Sequence, residues 1–202
     1  MDAEQGNGQG STAMSGERAG GSGGASASVL HAHRASVADR PRVLVIGYGN
    51  PGRLDDGLGP ALAALLEERA LPGVTVEADY QLTVEDAAQI ARHDVVVFAD
   101  ASVSGPEPFS FRPLAQDDHL ALGFTTHSLQ PASAMALARE LFASEAQGYI
   151  LAIRGYEFGD FGEQLSAKAE RNLAAAFRFL ADALIEGLPR RPTPVTEPSE
   201  EE

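Results

Sequence analysis

Apolar and polar positions alternate along this chain between short continuous apolar runs and longer stretches of helical spacing. Residues 42–48 (RVLVIGY) form a β-branched run ending in Gly49-Asn50-Pro51-Gly52, which predicts a buried strand closed by a turn. Residues 59–70 are helix formers with Leu62, Leu65 and Leu66 on one face, and Pro60 suits a first turn, where its missing N–H is not needed. Residues 74–80 alternate and predict a second strand. Thr83 with an acid three residues later, Asp86, is a near capping box and starts a predicted helix that runs to about residue 91. Residues 94–100 (DVVVFAD) have a continuous apolar middle, as expected of a strand buried on both faces of a parallel sheet. Residues 108–113 (PFSFRP) alternate between prolines and predict an edge strand. A helix is predicted over 128–142, with Leu129, Ala136, Leu137 and Leu141 on one side, then a last strand over 149–154. Leu165, Ala169, Leu173, Ala176, Phe177, Leu180 and Leu184 recur at three and four residues, so the C-terminal helix is amphipathic. The order β-α-β-α-β-β-α-β-α predicts an α/β three-layer sandwich: a five-stranded, mostly parallel sheet with one antiparallel edge strand and helices on both faces.

Composition narrows this picture at both ends of the chain. Residues 1–40 are rich in Gly, Ser and Ala and are expected to be disordered, because they hold too little apolar surface to offset their ordering entropy. His31 and His33 form an H-x-H there, read as solvated side chains for want of a third ligand. Residues 188–202, with prolines and terminal acids, are a second expected tail. Residues 41–187 are left as one domain of ordinary size. Fifteen Lys+Arg against 29 Asp+Glu give a net charge of −14, which counts against nucleic acid and anionic membranes as partners. The absence of cysteine excludes disulfides, thiolate metal sites and a thiol nucleophile. No apolar run is long enough to span a bilayer and the N-terminus lacks a secretory pattern, so the expected location is the cytoplasm.

Ligands of open α/β sheets bind beyond the carboxyl ends of the strands. The segments expected there are GNPGRLDDG (49–57), Gln81, Asp100-Ala101-Ser102, Thr125-Thr126-His127-Ser128 and Gly155-Tyr156-Glu157. Gly47-Tyr48-Gly49-Asn50-Pro51-Gly52 fits the G-x-G-x-x-G pattern of dinucleotide sites, with Asp79 where a ribose-binding acid would lie. Pro51 removes a donor, however, and Asp55 and Asp56 would repel a pyrophosphate. Asp56, Asp100 and His127 make a carboxylate–carboxylate–imidazole set suited to nickel, zinc, manganese or iron(II). Each also has an ordinary reading: Asp56 as a helix N-cap, Asp100 as a turn cap, His127 as a helix-entry residue. Asp55 and Asp56 are adjacent and would point apart, so Asp56 with Asp100 is the better carboxylate dyad. Ser102, His127 and Asp100 could form a triad, without a G-x-S-x-G elbow. His93 and His119 read as surface residues.

The segment VLVIGYGNPGRLDDGLGP (43–60) resembles the opening of the nickel–iron hydrogenase maturation endopeptidases. The resemblance continues through FADAS (98–102), THS (126–128) and IRGYEFGDFGEQLS (153–166), and spans about residues 42–187. It implies a phosphorylase/hydrolase-like sheet between helices and an aspartic-type peptidase that clips a C-terminal peptide from a hydrogenase large subunit after nickel insertion. The family's shared acid, aspartate and histidine fall on Asp56, Asp100 and His127, as catalytic residues and nickel ligands, and Asn50 and Asp55 match the loop that shapes the site. The implied metal is nickel supplied by the substrate, with no organic cofactor. The implied partner is the large-subunit precursor, and the enzyme is expected to act as a monomer. Asp at the first acid, where some members carry Glu, shortens its reach by one methylene, and Ser128-Leu129-Gln130-Pro131 is less typical of the family. The rival readings are a peptidyl-tRNA hydrolase-like enzyme, which shares a G-N-P-G loop, and a non-catalytic nickel chaperone.

Overall fold

The five apolar runs pair into one sheet. In chain order the elements are β1 (Val43–Tyr48), α1 (Leu58–Arg69), β2 (Val74–Asp79), α2 (Asp86–Ile90), β3 (Val95–Ser102), β4 (Phe109–Pro113), α3 (Pro131–Phe142), β5 (Gln147–Arg154) and α4 (Ala167–Glu186). The computed structural model describes residues 40–115 and 129–188. The strands lie in the order β2-β1-β3-β5-β4. β1 is parallel to β2 and β3, β3 is parallel to β5, and β4 closes one edge antiparallel to β5. This is the predicted architecture, strand for strand. Apart from Arg40 and Leu188, the two expected tails lie outside the described residues.

Successive side chains on a strand face opposite sides, and both sides are covered here. Val43, Val45, Val95, Val97, Leu151 and Ile153 pack with α1 and α4. Leu44, Ile46, Val96 and Phe98 pack with α2 and α3. The three central strands therefore read as continuous apolar runs rather than alternating ones. Among the described residues no helix is long and apolar enough to cross a membrane.

Several boundaries differ from the sequence reading. β3 continues through Ser102, so Asp100 lies inside the strand rather than after it. The helix expected from residue 83 begins at Asp86, because the Asp86 carboxylate turns back to accept the Thr83 N–H at 2.7 Å and holds that residue outside the helix. The face of α3 also differs. Pro131, Ala134, Met135 and Ala138 are its buried residues, whereas Leu141 is exposed and Leu129 lies before the helix in a bridge to Leu82. Small residues let α3 approach α2 closely, so bulk was a poor guide to the buried stripe.

The approach of α1 to the sheet fixes where the following chemistry can sit. A side-chain carbon at Gly59 would run into the carbonyl oxygens of Tyr48 and Ala99, and one at Gly47 into the carbonyl of Gly59. The first turn of α1 thus lies directly on β1 and β3, and the connection from β1 must complete its turn in residues 49–57. Alanine would ordinarily be favoured over glycine in a helix by about 1 kcal/mol. At position 59 overpacking against backbone dominates, at about 3 kcal/mol. Gly59→Ala is therefore expected to lower the midpoint of urea unfolding; a raised midpoint would show that helix and sheet can separate at no cost.

Candidate active site at the carboxyl rim of the sheet

The connection after β1 is a tight, internally bonded loop. Gly49 donates its N–H to the Asp79 carbonyl at 3.1 Å and has φ +137°, in the region that favours glycine; a side chain there would strike the Asp56 carbonyl. Asn50 organises the turn, its Oδ1 accepting from Gly52 N–H at 2.9 Å and its carbonyl from Arg53 N–H at 3.0 Å. Residues Leu54–Gly57 form a single 3₁₀ turn. Leu54 has φ +54° and is clamped by the segment after β5: its N–H donates to the Gly162 carbonyl at 2.8 Å, and Gly162 N–H donates to the Gly52 carbonyl at 2.9 Å. These contacts hold a conformation that leucine adopts only at a cost.

The two adjacent acids of this turn have opposite fates. Asp55 points inward and is fully buried. Its carboxylate accepts from the N–H groups of Tyr156 (2.7 Å), Glu157 (3.0 Å) and Ser166 (2.7 Å) and from the Ser166 hydroxyl (2.8 Å). Burial is the largest single influence on its ionisation and opposes it. The four donors together outweigh burial and hold the carboxyl below the ordinary carboxylate range. Ser166 is also the N-cap of α4, its hydroxyl accepting from Ala169 N–H at 3.3 Å. Asp55 is therefore a structural lock that ties the first loop to the start of the last helix.

Asp56 points the other way, half-buried, with one carboxylate oxygen accepting Asn50 N–H at 3.0 Å. It does not cap α1, whose N-cap is Gly57 without a side-chain bond. Its charge acts on Asp100 of β3. Burial first of all, and then the negative charge of Asp56, push the Asp100 carboxyl up to about 7, against the opposing pull of hydrogen bonds from Ala101 N–H (2.7 Å) and the Tyr48 hydroxyl. Tyr48 is driven upward in turn, chiefly by burial and then by the Asp100 charge, and stays protonated. Near neutral pH the Asp100 carboxyl, beside this second acid, can therefore hold a proton that is easily lost. That is the arrangement by which two acids divide the roles of base and acid.

His127, with Thr125, Thr126 and Ser128, lies outside the described residues, as does His119. The hydroxyl of Ser102 donates to the Ser104 carbonyl at 2.5 Å, so it is engaged with its own turn rather than with Asp100. The dinucleotide reading loses the donor it needs, since the Asn50 N–H already serves the Asp56 carboxylate. Asp79 instead joins Glu77 and Asp86 in a group whose carboxylate oxygens lie within 4.8 Å of one another. His93 is half-buried, bridging the Gln89 carbonyl (2.8 Å) and the Thr75 hydroxyl (2.9 Å), and is more than the surface residue expected. Sequence reasoning missed Tyr48 as a partner of Asp100. The period-2 rule held the signal: Leu44, Ile46 and Tyr48 share one strand face, as do Val96, Phe98 and Asp100 on the neighbouring strand.

No protein-family model matches the chain, and no curated protein matches it in sequence. Solved structures share the fold. A NiFe hydrogenase maturation protease HycI from Thermococcus kodakarensis superposes with a TM-score of 0.59 at 22% identity, covering 74% of this chain and 96% of its own. The hydrogenase maturating endopeptidase HybD from E. coli gives 0.57 at 19%, covering 72% and 93%. A hydrogenase 2 maturation peptidase from a Thaumarchaeota archaeon gives 0.54 at 24%, covering 72% and 99%.

Two outcomes follow from the opposite treatment of the acids. Asp55→Asn replaces two acceptors by one acceptor and a donor facing donors, and is expected to cost about 2–3 kcal/mol at pH 7. A carboxyl held below its unfolded value stabilises above that value, and its contribution is lost as pH falls through the folded one. The acid limb of the stability curve below about pH 4 should accordingly be flatter in this variant than in the wild type. Asp100 has the reverse sign. Its folded carboxyl keeps a proton that the unfolded chain releases, so its contribution to stability falls as pH rises from about 4 to about 7. Asp100→Asn cannot pass through that change. Relative to wild type it should gain stability between pH 4 and pH 8, by on the order of 3 kcal/mol, measured by urea unfolding at both pH values; an equal difference at both would refute the assignment.

Proposed function

We propose that this chain is an endopeptidase of nickel–iron hydrogenase maturation, removing the C-terminal extension of the nickel-loaded large subunit as a monomer in the cytoplasm. The observation that carries the reading is the Asp56–Asp100 pair at the carboxyl rim of a sheet whose fold is shared with solved maturation proteases. The sequence resemblance at residues 43–60, 98–102, 126–128 and 153–166 supports it independently of the fold. The acidic balance of the chain, −14, favours it over a peptidyl-tRNA hydrolase-like enzyme of similar loop.

In this reading Asp56, Asp100 and His127 grip nickel that belongs to the substrate, so that only a loaded precursor is held for cutting. Hard and borderline donors of this kind suit a divalent cation. A cation arriving at the pair stabilises both carboxylates, so the proton that Asp100 holds near neutral pH is released on binding. In the alternative assignment, a carboxylate of the pair that is not engaged with the cation takes a proton from water as that water attacks the scissile carbonyl. The C–N bond breaks, and the proton passes to the leaving amine. Tyr48 keeps Asp100 oriented by donating to it.

The test is incubation with a nickel-loaded large-subunit precursor, read by mass. Loss of the tail is expected with loaded precursor and not with nickel-free precursor. Asp56→Ala, Asp100→Ala and His127→Ala should each lower the rate by at least ~100-fold with the fold intact by circular dichroism. Processing should also weaken in mild acid, where a protonated imidazole cannot bind a metal. Full tail removal by all three variants would sink the reading. Tight nickel uptake without cleavage would point to a chaperone, and retardation of tRNA on a gel to the hydrolase rival.

A further inference from the structure

The same rim carries large apolar side chains in water. Tyr80, Val103 and Phe161 are 70%, 67% and 87% exposed. Each adjoins a residue that is hydrogen-bonded into the candidate site. Tyr80 follows Asp79, whose carbonyl takes the Gly49 N–H at 3.1 Å. Val103 follows Ser102, whose carbonyl takes the Gly155 N–H at 3.0 Å, and lies three residues beyond Asp100. Phe161 precedes Gly162, which is bonded on both sides to the loop that carries Asp56, and its ring lies under the Arg53 guanidinium at 5.5 Å. The three therefore project from anchored backbone on three different connections. Apolar groups exposed in this way bring the fold no burial, and anchoring the backbone beside them lowers the ordering entropy that a partner would otherwise have to overcome.

Charge specifies that partner. Asp79 adjoins Tyr80 in the acidic group with Glu77 and Asp86, and Phe161 lies between Asp160 and the nearby Glu163, in a connection that also holds Glu157. A second copy of this chain would bring like charge against like. We propose that Tyr80, Val103 and Phe161 form a docking surface for a folded protein that presents apolar side chains ringed by lysine and arginine, seated so that its chain terminus enters the Asp56–Asp100 rim. The proposal rests on the maturation reading in taking that protein to be the large-subunit precursor, with the body of the subunit bound as well as its tail.

The experiment compares wild type with the triple variant Tyr80→Ser, Val103→Ser, Phe161→Ser. Equilibrium binding is measured to nickel-free precursor, and steady-state kinetics with loaded precursor. Because the three side chains are exposed, the melting temperature should match wild type. Kd and KM should each rise at least tenfold with kcat within about twofold, the signature of lost uniform binding. Wild-type binding should weaken between about 0.05 and 0.5 M salt. Unchanged Kd and KM in a variant paired with an active wild type would overturn the docking surface and leave the cleavage reading standing. Wild type that binds the precursor through these residues without cutting it would overturn cleavage and keep the surface. Neither binding nor cutting would overturn both. A wild-type dimer that the triple variant converts to monomer would assign the face to a second copy and overturn the proposal.

Discussion

The buried carboxylate of Asp55 is the constraint on which the site depends. Four donors from the segment after β5 and the start of α4 converge on it. A charge in that position would be costly if any donor were missing, and with all present it fixes the relative placement of two connections that the sheet alone would leave free. Its neighbour is thereby turned outward. Asp56 reaches the Asn50 N–H and the vicinity of Asp100 because Asp55 is held on the other side, with Leu54 in a positive-φ conformation and both Leu54 and Gly52 strapped to Gly162.

The second acid works by a different balance. Asp100 sits in a buried strand, beside another carboxylate, with too few donors to hold it ionised. Two aspartates of the same rim are thus set apart by their surroundings rather than by their chemistry: Asp55 is saturated with donors, and Asp100, with fewer donors and a neighbouring negative charge, holds a proton more readily.

The strands were legible because apolar runs of β-branched residues, buried on both faces, leave little else for the chain to do, as in VLVI and VVVF. The connection order then constrained the sheet through the handedness and adjacency rules. Asp56 and Asp100 could be brought to one rim by that topology alone. What stayed hidden depended on contacts between segments distant in sequence. Nothing local marks Asp55 as a lock or Ser166 as its donor, since they are 111 residues apart. The buried face of α3 is not marked by its bulkiest residues, because small residues such as Ala134 and Ala138 are what a close helix approach selects. The end of β3 does not follow from its apolar run, because Asp100 continues the strand by pairing with Ala152 on β5.

The distance along the chain between Asp55 and its donors also has a temporal side. The donors are contributed by residues 156, 157 and 166, so a ribosome must have extruded most of the polypeptide before the first loop can be locked. Until then the GNPG turn lacks its straps to Gly162, and the Asp55 carboxylate lacks its donors. The described geometry of the rim is therefore completed late in synthesis, once Ser166 at the start of α4 can reach the first loop.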